Sequence, residues 1–335
     1  MEPHGFTNLG GLPKKTDDRD LLLGSAIPTY TFGPTLTNAD AWAAPVEYQG
    51  QQPACGAHAG SKAAGVKGSK HFTPRYTWAN LKTFDGWAIT DGTDIRSIVK
   101  SLTNAGPLTF ELMGNDVSVD LNTYAHPTIT QAMITDAHAN KSYAYGFAND
   151  LSFNGLKQYI HDHGPIIILI RVTARFWTAE NGQTSWAEKD ILPLAPASAQ
   201  WPAVSGHFVV AHSYDENYIY FLNSFSDGWG RKGHGYFGAD YMGLVNDAAA
   251  LVPMAFTRDL YEGMQHPDVK TLQVYLNKNP LTQIAKTGPG SPGQETEYFG
   301  ALTKAAVIKF QTAKGIKPNA GYVGAVTRAV INAQP

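Results

Sequence analysis

One thiol stands in the chain of 335 residues: Cys55, in the stretch "EYQGQQPACGAHAG", among glycines, a proline and other small residues. A cysteine that does chemistry needs a base to make its thiolate, a group to orient that base, and donors for the oxyanion formed on attack of a carbonyl. Gln49, six residues upstream, offers a side-chain amide donor. Pro53 suits a helix start, because its missing N–H would have no partner there. The spacing therefore predicts a helix over 54–66 with Cys55 near its N-terminus, where the helix dipole favours a thiolate. Far downstream, His207 in "SGHFVVAHSY" and Asn223 in "FLNSFSDGWG" lie near the ends of strand-like runs beside glycines, and a hairpin would bring them together. The competing reading of Cys55 is a small buried hydrophobe, the ordinary fate of a lone cysteine.

The elements that must position these residues fall into two textures. Residues 1–45 are rich in Gly, Pro and Thr and carry the charged patch "KKTDDRD", which reads as an extended arm lying on a body. A helix is expected over 94–104, with Ile95, Ile98, Val99 and Leu102 on one face. Later, "GPIIILIRV", "GHFVVAHSY" and "YIYFLNSF" are β-branched and aromatic runs separated by Gly, Asp and Asn, the chemistry of strands and turns. Helices early and strands late predict an α+β body with two segregated halves. At the C-terminal end, "YFGALTKAAVIKFQ" and "YVGAVTRAVINA" are imperfect copies 24 residues apart, aligned on Tyr298/Tyr322, Gly300/Gly324 and Thr303/Thr327. Leu302, Ala306, Val307 and Phe310 mark the apolar face of the first copy, and Val269, Leu272, Tyr275 and Leu276 that of a third helix over 266–277. Between them "TGPGSPGQ" reads as a flexible loop.

Bulk numbers exclude several classes. With 43% apolar and 16% charged residues the chain is an ordinary globular protein, and its net charge of −2 gives no reason to expect nucleic acid or an anionic membrane. "PIIILI" (Pro165–Ile170) is too short to span a bilayer. The start "MEPHGFTNLGG" has neither the basic region nor the apolar core of a signal peptide. His58, three residues past Cys55, reads as a packed histidine in the cleft floor. His161 and His163 read as a solvated helix end rather than a metal site, and His212 as structural. His234 reads as a surface residue in a turn. Neither a P-loop nor a dinucleotide fingerprint occurs, and no cofactor or metal is expected.

"QGQQPAC", "GHFVVAHSY" and "NSFSDGWG" resemble, in order and spacing, the three active-site segments of papain-like cysteine peptidases. "TPRYTWANLK", "DGTDIRSIVKSLTNAG" and "GLKQYIHDHGPIIILIRV" extend the resemblance over residues 12–256. It implies a two-lobed fold, a helical left lobe beside a β-barrel-like right lobe. Cys55 would be the nucleophile, His207 the general base and acid, and Asn223 the residue that orients the imidazole. Gln49 and the Cys55 backbone N–H would form the oxyanion hole. Gly92, Gly206 and Trp229 are the implied contacts beside the substrate. The chain departs from the family in having Gly56 where a Trp usually follows the cysteine, Phe225 for the Trp of "NSW", and none of the family's disulfide cysteines.

The C-terminal pattern, Val269-x-x-Leu272-Gln273-x-x-Leu276 followed by Phe299–Gln311 and the Gly-Tyr-Val-Gly of 321–324, resembles peptidoglycan-binding domains of the three-helix type. The organisation expected is an arm or propeptide-like segment over 1–28, a peptidase domain over 29–258, and a peptidoglycan-binding-like module over 259–335. Of the two readings of the arm, a permanent one is preferred, because it lacks the helical content of an independent inhibitory prodomain. The function expected is a cysteine endopeptidase, secreted or held at the cell envelope, with peptide substrates. The alternatives are a peptidoglycan endopeptidase or amidase, and a catalytically inactive wall-binding protein.

Overall fold

The computed structural model describes residues 10–12, 14, 22–23, 30–141, 143–173, 203–253, 256 and 258–332; most of the arm, with most of its charged patch, lies outside them. The helices of the body are α1 (Ala39–Ala43), α2 (Cys55–Gly68), α3 (Pro74–Leu81), α4 (Ile95–Asn104), α5 (Leu121–Ala125), α6 (Gln131–Ala139) and α7 (Phe153–His163). Its strands are β1 (Gly11–Leu12), β2 (Leu22–Leu23), β3 (Thr93–Asp94), β4 (Tyr143–Ala148), β5 (Ile166–Thr173), β6 (Ala203–Tyr214), β7 (Ile219–Leu222), β8 (His234–Phe237) and β9 (Val245–Pro253).

The helix that carries the thiol is built of small residues and is buried from Cys55 to Val66. Gly56 and Gly60 cut a notch into it that takes Ile98 of α4. A Cβ on Gly56 would lie 2.7 Å from Ile98 Cδ1, and one on Gly60 2.5 Å from Ile98 Cγ2. The small residue after the cysteine is thus a packing requirement of this pair of helices. Asp94 starts α4 by accepting the Ser97 N–H at 3.0 Å, the ordinary cap of a helix N-terminus.

A seven-stranded sheet, in the order β2-β4-β9-β5-β6-β7-β8, forms the other half. β5 lies between β9 and β6, and every residue from Ile166 to Ile170 is buried. A strand covered on both faces reads as an unbroken apolar run, hence "PIIILI". β6 and β7 form the expected hairpin, Val210 opposite Leu222, closed by Asp215, whose carboxylate accepts the N–H groups of Asn217 and Tyr218 at 2.8 Å. That turn returns Asn223, one residue past β7, to the level of His207 on β6.

His234 is not on the surface. It opens β8, is buried, and meets His212 ring to ring, with His212 Nε2 3.1 Å from His234 Nδ1. The indole of Trp42, from a distant part of the chain, stacks on it at 4.3 Å between ring centres. Burial holds the His234 imidazole down at about 4 and that of His212 well below its ordinary value.

The chain divides into two compact units, residues 1–141 with 145–251, and 142–144 with 252–335. Three helices make up the second: α8 (Pro267–Asn277), α9 (Ala301–Ala313) and α10 (Ala325–Asn332). They close around Val269, Leu272, Leu276, Phe299, Val307, Phe310, Val323 and Ile331. The two sequence copies are two equivalent clasps. Gln273 Nε2 donates to the Tyr298 carbonyl and to Thr303 Oγ1, at 2.9 and 3.0 Å. Gln311 Nε2 donates in the same way to the Tyr322 carbonyl and Thr327 Oγ1, at 2.7 and 2.9 Å. With Thr303 turned inward, Leu302 is 58% exposed rather than part of the core. The stretch 287–294 is not a loose loop either. Ser291 is buried, Gly290 N–H donates to Gln294 O at 2.7 Å, and Asn277 Nδ2 donates to Gly290 O at 2.8 Å. Its Gly-Pro composition shapes a hydrogen-bonded turn seated on α8.

Candidate active site

Cys55 opens α2 and is fully buried, and its Sγ accepts the backbone N–H of Phe208 at 3.5 Å. The thiol therefore lies against the strand residue that follows His207. The His207 ring donates from Nε2 to Asn223 Oδ1 at 2.7 Å, a bond that leaves Nδ1 as the basic nitrogen. Asn223 Oδ1 also accepts the Ser224 N–H at 2.8 Å, so its amide is pinned from two sides. The ring of Phe225 stacks on His207 at 5.0 Å, and Trp229 meets Phe225 edge-on at 6.3 Å from behind. Trp229 is buried, a layer removed from the thiol.

Gln49 is fully buried. Its backbone N–H donates to Ser224 O at 2.9 Å, its Oε1 accepts the Ser224 hydroxyl at 2.6 Å, and its Nε2 donates to Gln52 O at 3.0 Å. The second Nε2 hydrogen has no hydrogen-bond acceptor among the described residues. Ser224 thus holds both Gln49 and Asn223. Sequence reasoning gave it no role, although it stands between two residues that were singled out. Asn115 was missed altogether. It donates from Nδ2 to His58 Nε2 at 3.1 Å, while His58 Nδ1 donates to Ala54 O at 3.0 Å. Both His58 nitrogens are thereby occupied, which keeps the ring neutral beneath the helix start.

Burial sets the charge state of the site. It pushes the Cys55 thiol up to about 12 and the His207 imidazole down to about 4, the bond to Asn223 opposing the second shift. His58 is likewise lowered to about 4 by burial. At neutral pH this closed site holds a thiol and a neutral imidazole.

Residues Gly10–Leu12 of the N-terminal segment run alongside this site. β1 runs parallel to β3 with Gly11 opposite Thr93, and the Thr93 N–H donates to Gly10 O at 2.8 Å. Two of the expected substrate contacts meet this segment. A Cβ on Gly92 would lie 2.1 Å from Gly10 Cα, and one on Gly206 would lie 2.1 Å from Gly11 O.

Among solved structures, the chain is similar to xylellain, a cysteine protease from Xylella fastidiosa, with 18% identity and a TM-score of 0.60 over 73% of this chain and 95% of that one. The body has the papain-like cysteine-protease fold. The papain-like body is also similar to procathepsin B S9 from Trypanosoma congolense, at 12% identity and a TM-score of 0.54 over 75% of this chain and 87% of that one. A third similar structure holds the cysteine protease and lectin-like domains of Cwp84, a surface-layer-associated protein of Clostridium difficile. Here the identity is 14% and the TM-score 0.52, over 70% of this chain and 53% of that one, so the likeness spans about half of it. No curated protein matches the chain in sequence. Beyond the papain-like body, residues 265–331 match the family model described as "Putative peptidoglycan binding domain". No helix among the described residues is long and apolar enough to cross a membrane.

Proposed function

We propose that the chain is a cysteine endopeptidase that works through an acyl-enzyme, held at the cell envelope by its C-terminal unit. The observation that carries this reading is the 2.7 Å bond from His207 Nε2 to Asn223 Oδ1, on a strand whose next backbone N–H lies on the Cys55 sulfur. His207 Nδ1 takes the thiol proton, and the sulfur bonds to the carbonyl carbon of the scissile peptide. The oxyanion is held by the Cys55 N–H and the remaining Gln49 Nε2 hydrogen, a role that suits an amide fixed in advance. The imidazolium then gives its proton to the leaving amine as the C–N bond breaks. Water, deprotonated by Nδ1, attacks the thioester carbon, and the departing sulfur recovers the proton.

Peptidoglycan is the proposed anchor, on the family match of residues 265–331, and an envelope location follows from it. The arm is proposed to block the cleft until it is displaced, because Gly10–Leu12 fills the strand position beside Gly92 that a substrate backbone would take. The test is a comparison of wild type and Cys55→Ala on an unfolded protein and on purified peptidoglycan. Cleavage of the protein by wild type alone, with both chains pelleting with peptidoglycan, supports the reading. Clearing of peptidoglycan would make it a wall hydrolase, and pelleting without any hydrolysis a wall-binding protein.

A further inference from the structure

The walls beside Cys55 and His207 meet the arm through backbone. A Cβ on Gly10 would lie 2.0 Å from the Pro53 carbonyl oxygen and 2.6 Å from its carbonyl carbon. One on Gly11 would lie 2.6 Å from the Gly206 carbonyl carbon and 2.7 Å from Leu169 Cδ1. Of these neighbours only the end of Leu169 can turn aside. Pro53 stands two residues before Cys55 and Gly206 one before His207, so widening the slot means moving apart the two elements that bring thiol and imidazole together. Two of the wall positions, Gly92 and Gly206, are themselves glycine, and Gly10 has a φ of +87°, which L side chains rarely adopt. Four glycines interlock, two from each side, in a slot one peptide backbone thick. The restriction applies to a chain that lies in the slot as Gly10–Gly11 does.

We propose that this slot selects the substrate: the positions next to Cys55 and His207 accept two consecutive glycines, and the substrates are peptides carrying a Gly-Gly pair. The arm's own Gly10–Gly11 is a built-in copy of that pair. The word substrate rests on the peptidase reading above; the glycine selectivity of the slot does not.

The test uses the full chain with Gly11→Ala, whose added Cβ meets Gly206 and expels the arm. Gly10→Ala, which meets Pro53 instead, serves as a second variant should the first fold poorly. Two fluorescent peptides are compared, one containing Leu-Gly-Gly-Leu, as in residues 9–12, and the other Leu-Ala-Ala-Leu in the same flanks. Cleavage is followed with the arm-expelled chain, and binding by fluorescence polarisation with the same chain carrying Cys55→Ala. The expected result is that the Gly-Gly peptide is bound and cleaved, while the Ala-Ala peptide is weaker in both by at least about tenfold, the size of a modest overpacking penalty. Equal binding of the two peptides, or binding of neither, overturns the slot. Selective binding without cleavage keeps the slot and overturns the peptidase reading. Cleavage of both at similar rates does the reverse.

Discussion

Both units of the chain bury glutamine amides, and they use them differently. In the C-terminal unit, Gln273 and Gln311 spend their donors on a backbone carbonyl and a threonine hydroxyl, and their Oε1 atoms accept the Thr296 and Gly321 N–H groups at 2.7 and 2.9 Å. Such an amide is a structural clasp. In the papain-like body, Gln49 is as buried and as firmly held, by Ser224 and Gln52, yet one of its hydrogens has no acceptor among the described residues. A buried donor left unpaired costs on the order of 1–3 kcal/mol, and the oxyanion role proposed for Gln49 would give this hydrogen an acceptor. The contrast separates an amide with every polar atom bonded from one whose remaining hydrogen is proposed to meet the oxyanion.

The sharpest way to break this contrast is to remove each amide. Gln49→Ala is expected to lower kcat/KM on a peptide substrate by roughly 100-fold or more, the usual size for an oxyanion donor, with a smaller effect on stability. Steady-state kinetics of the arm-expelled chain measure it. A stability loss with unchanged kinetics would make Gln49 another clasp. Gln311→Ala removes the amide partner of the Gly321 N–H and leaves the Tyr322 carbonyl and the Thr327 hydroxyl only their own 3.4 Å bond. It is expected to destabilise the C-terminal unit by about 2–4 kcal/mol, read from denaturant unfolding.

Acid sharpens the picture of the body. His58, His207 and His234 are held at about 4 by burial, whereas in the unfolded chain they take up protons at their ordinary value of 6.5. The unfolded state therefore binds more protons than the folded one between those limits. Stability falls as pH drops below about 6.5, by at most about 1.4 kcal/mol per pH unit for each histidine, and the loss levels off below about 4. Unfolding midpoints taken from pH 7 to pH 4 check the slope; a flat profile would contradict the burial of these rings. The smallest effect belongs to Ser224→Ala, which frees Gln49 Oε1. A drop in kcat of about five- to tenfold at nearly constant KM is expected, from the loss of one positioning hydrogen bond.

That Cys55, His207 and Asn223 come together could be read from the chain, because spacing and residue type constrain it. Cys55 is the first residue of its helix, two past Pro53, and the His207–Asn223 pair needs only a hairpin, which the Asp215 turn supplies. The two Tyr-x-Gly repeats likewise announce two equivalent loops. What escaped depends on contacts between distant segments. His234 looks like a turn residue until Trp42 covers it. Leu302 fits an apolar face until Gln273 draws Thr303 inward. Nothing local in "TNLGGLPKK" shows that Gly10 and Gly11 would lie against Pro53 and Gly206, since the fit belongs to the width between two remote backbones. The part of the arm that is described, Gly11–Leu12, is a short strand paired with Thr93–Asp94, a contact that low helical content does not announce.

With a single cysteine in the chain, the activation of Cys55 proposed for His207 is directly measurable. Alkylation by iodoacetamide at pH 6, followed by intact mass, reports only on Cys55. In the Gly11→Ala chain, with the arm expelled, one rapid adduct is expected, slowed at least about 100-fold by adding His207→Ala. Equal rates with and without the imidazole would contradict it.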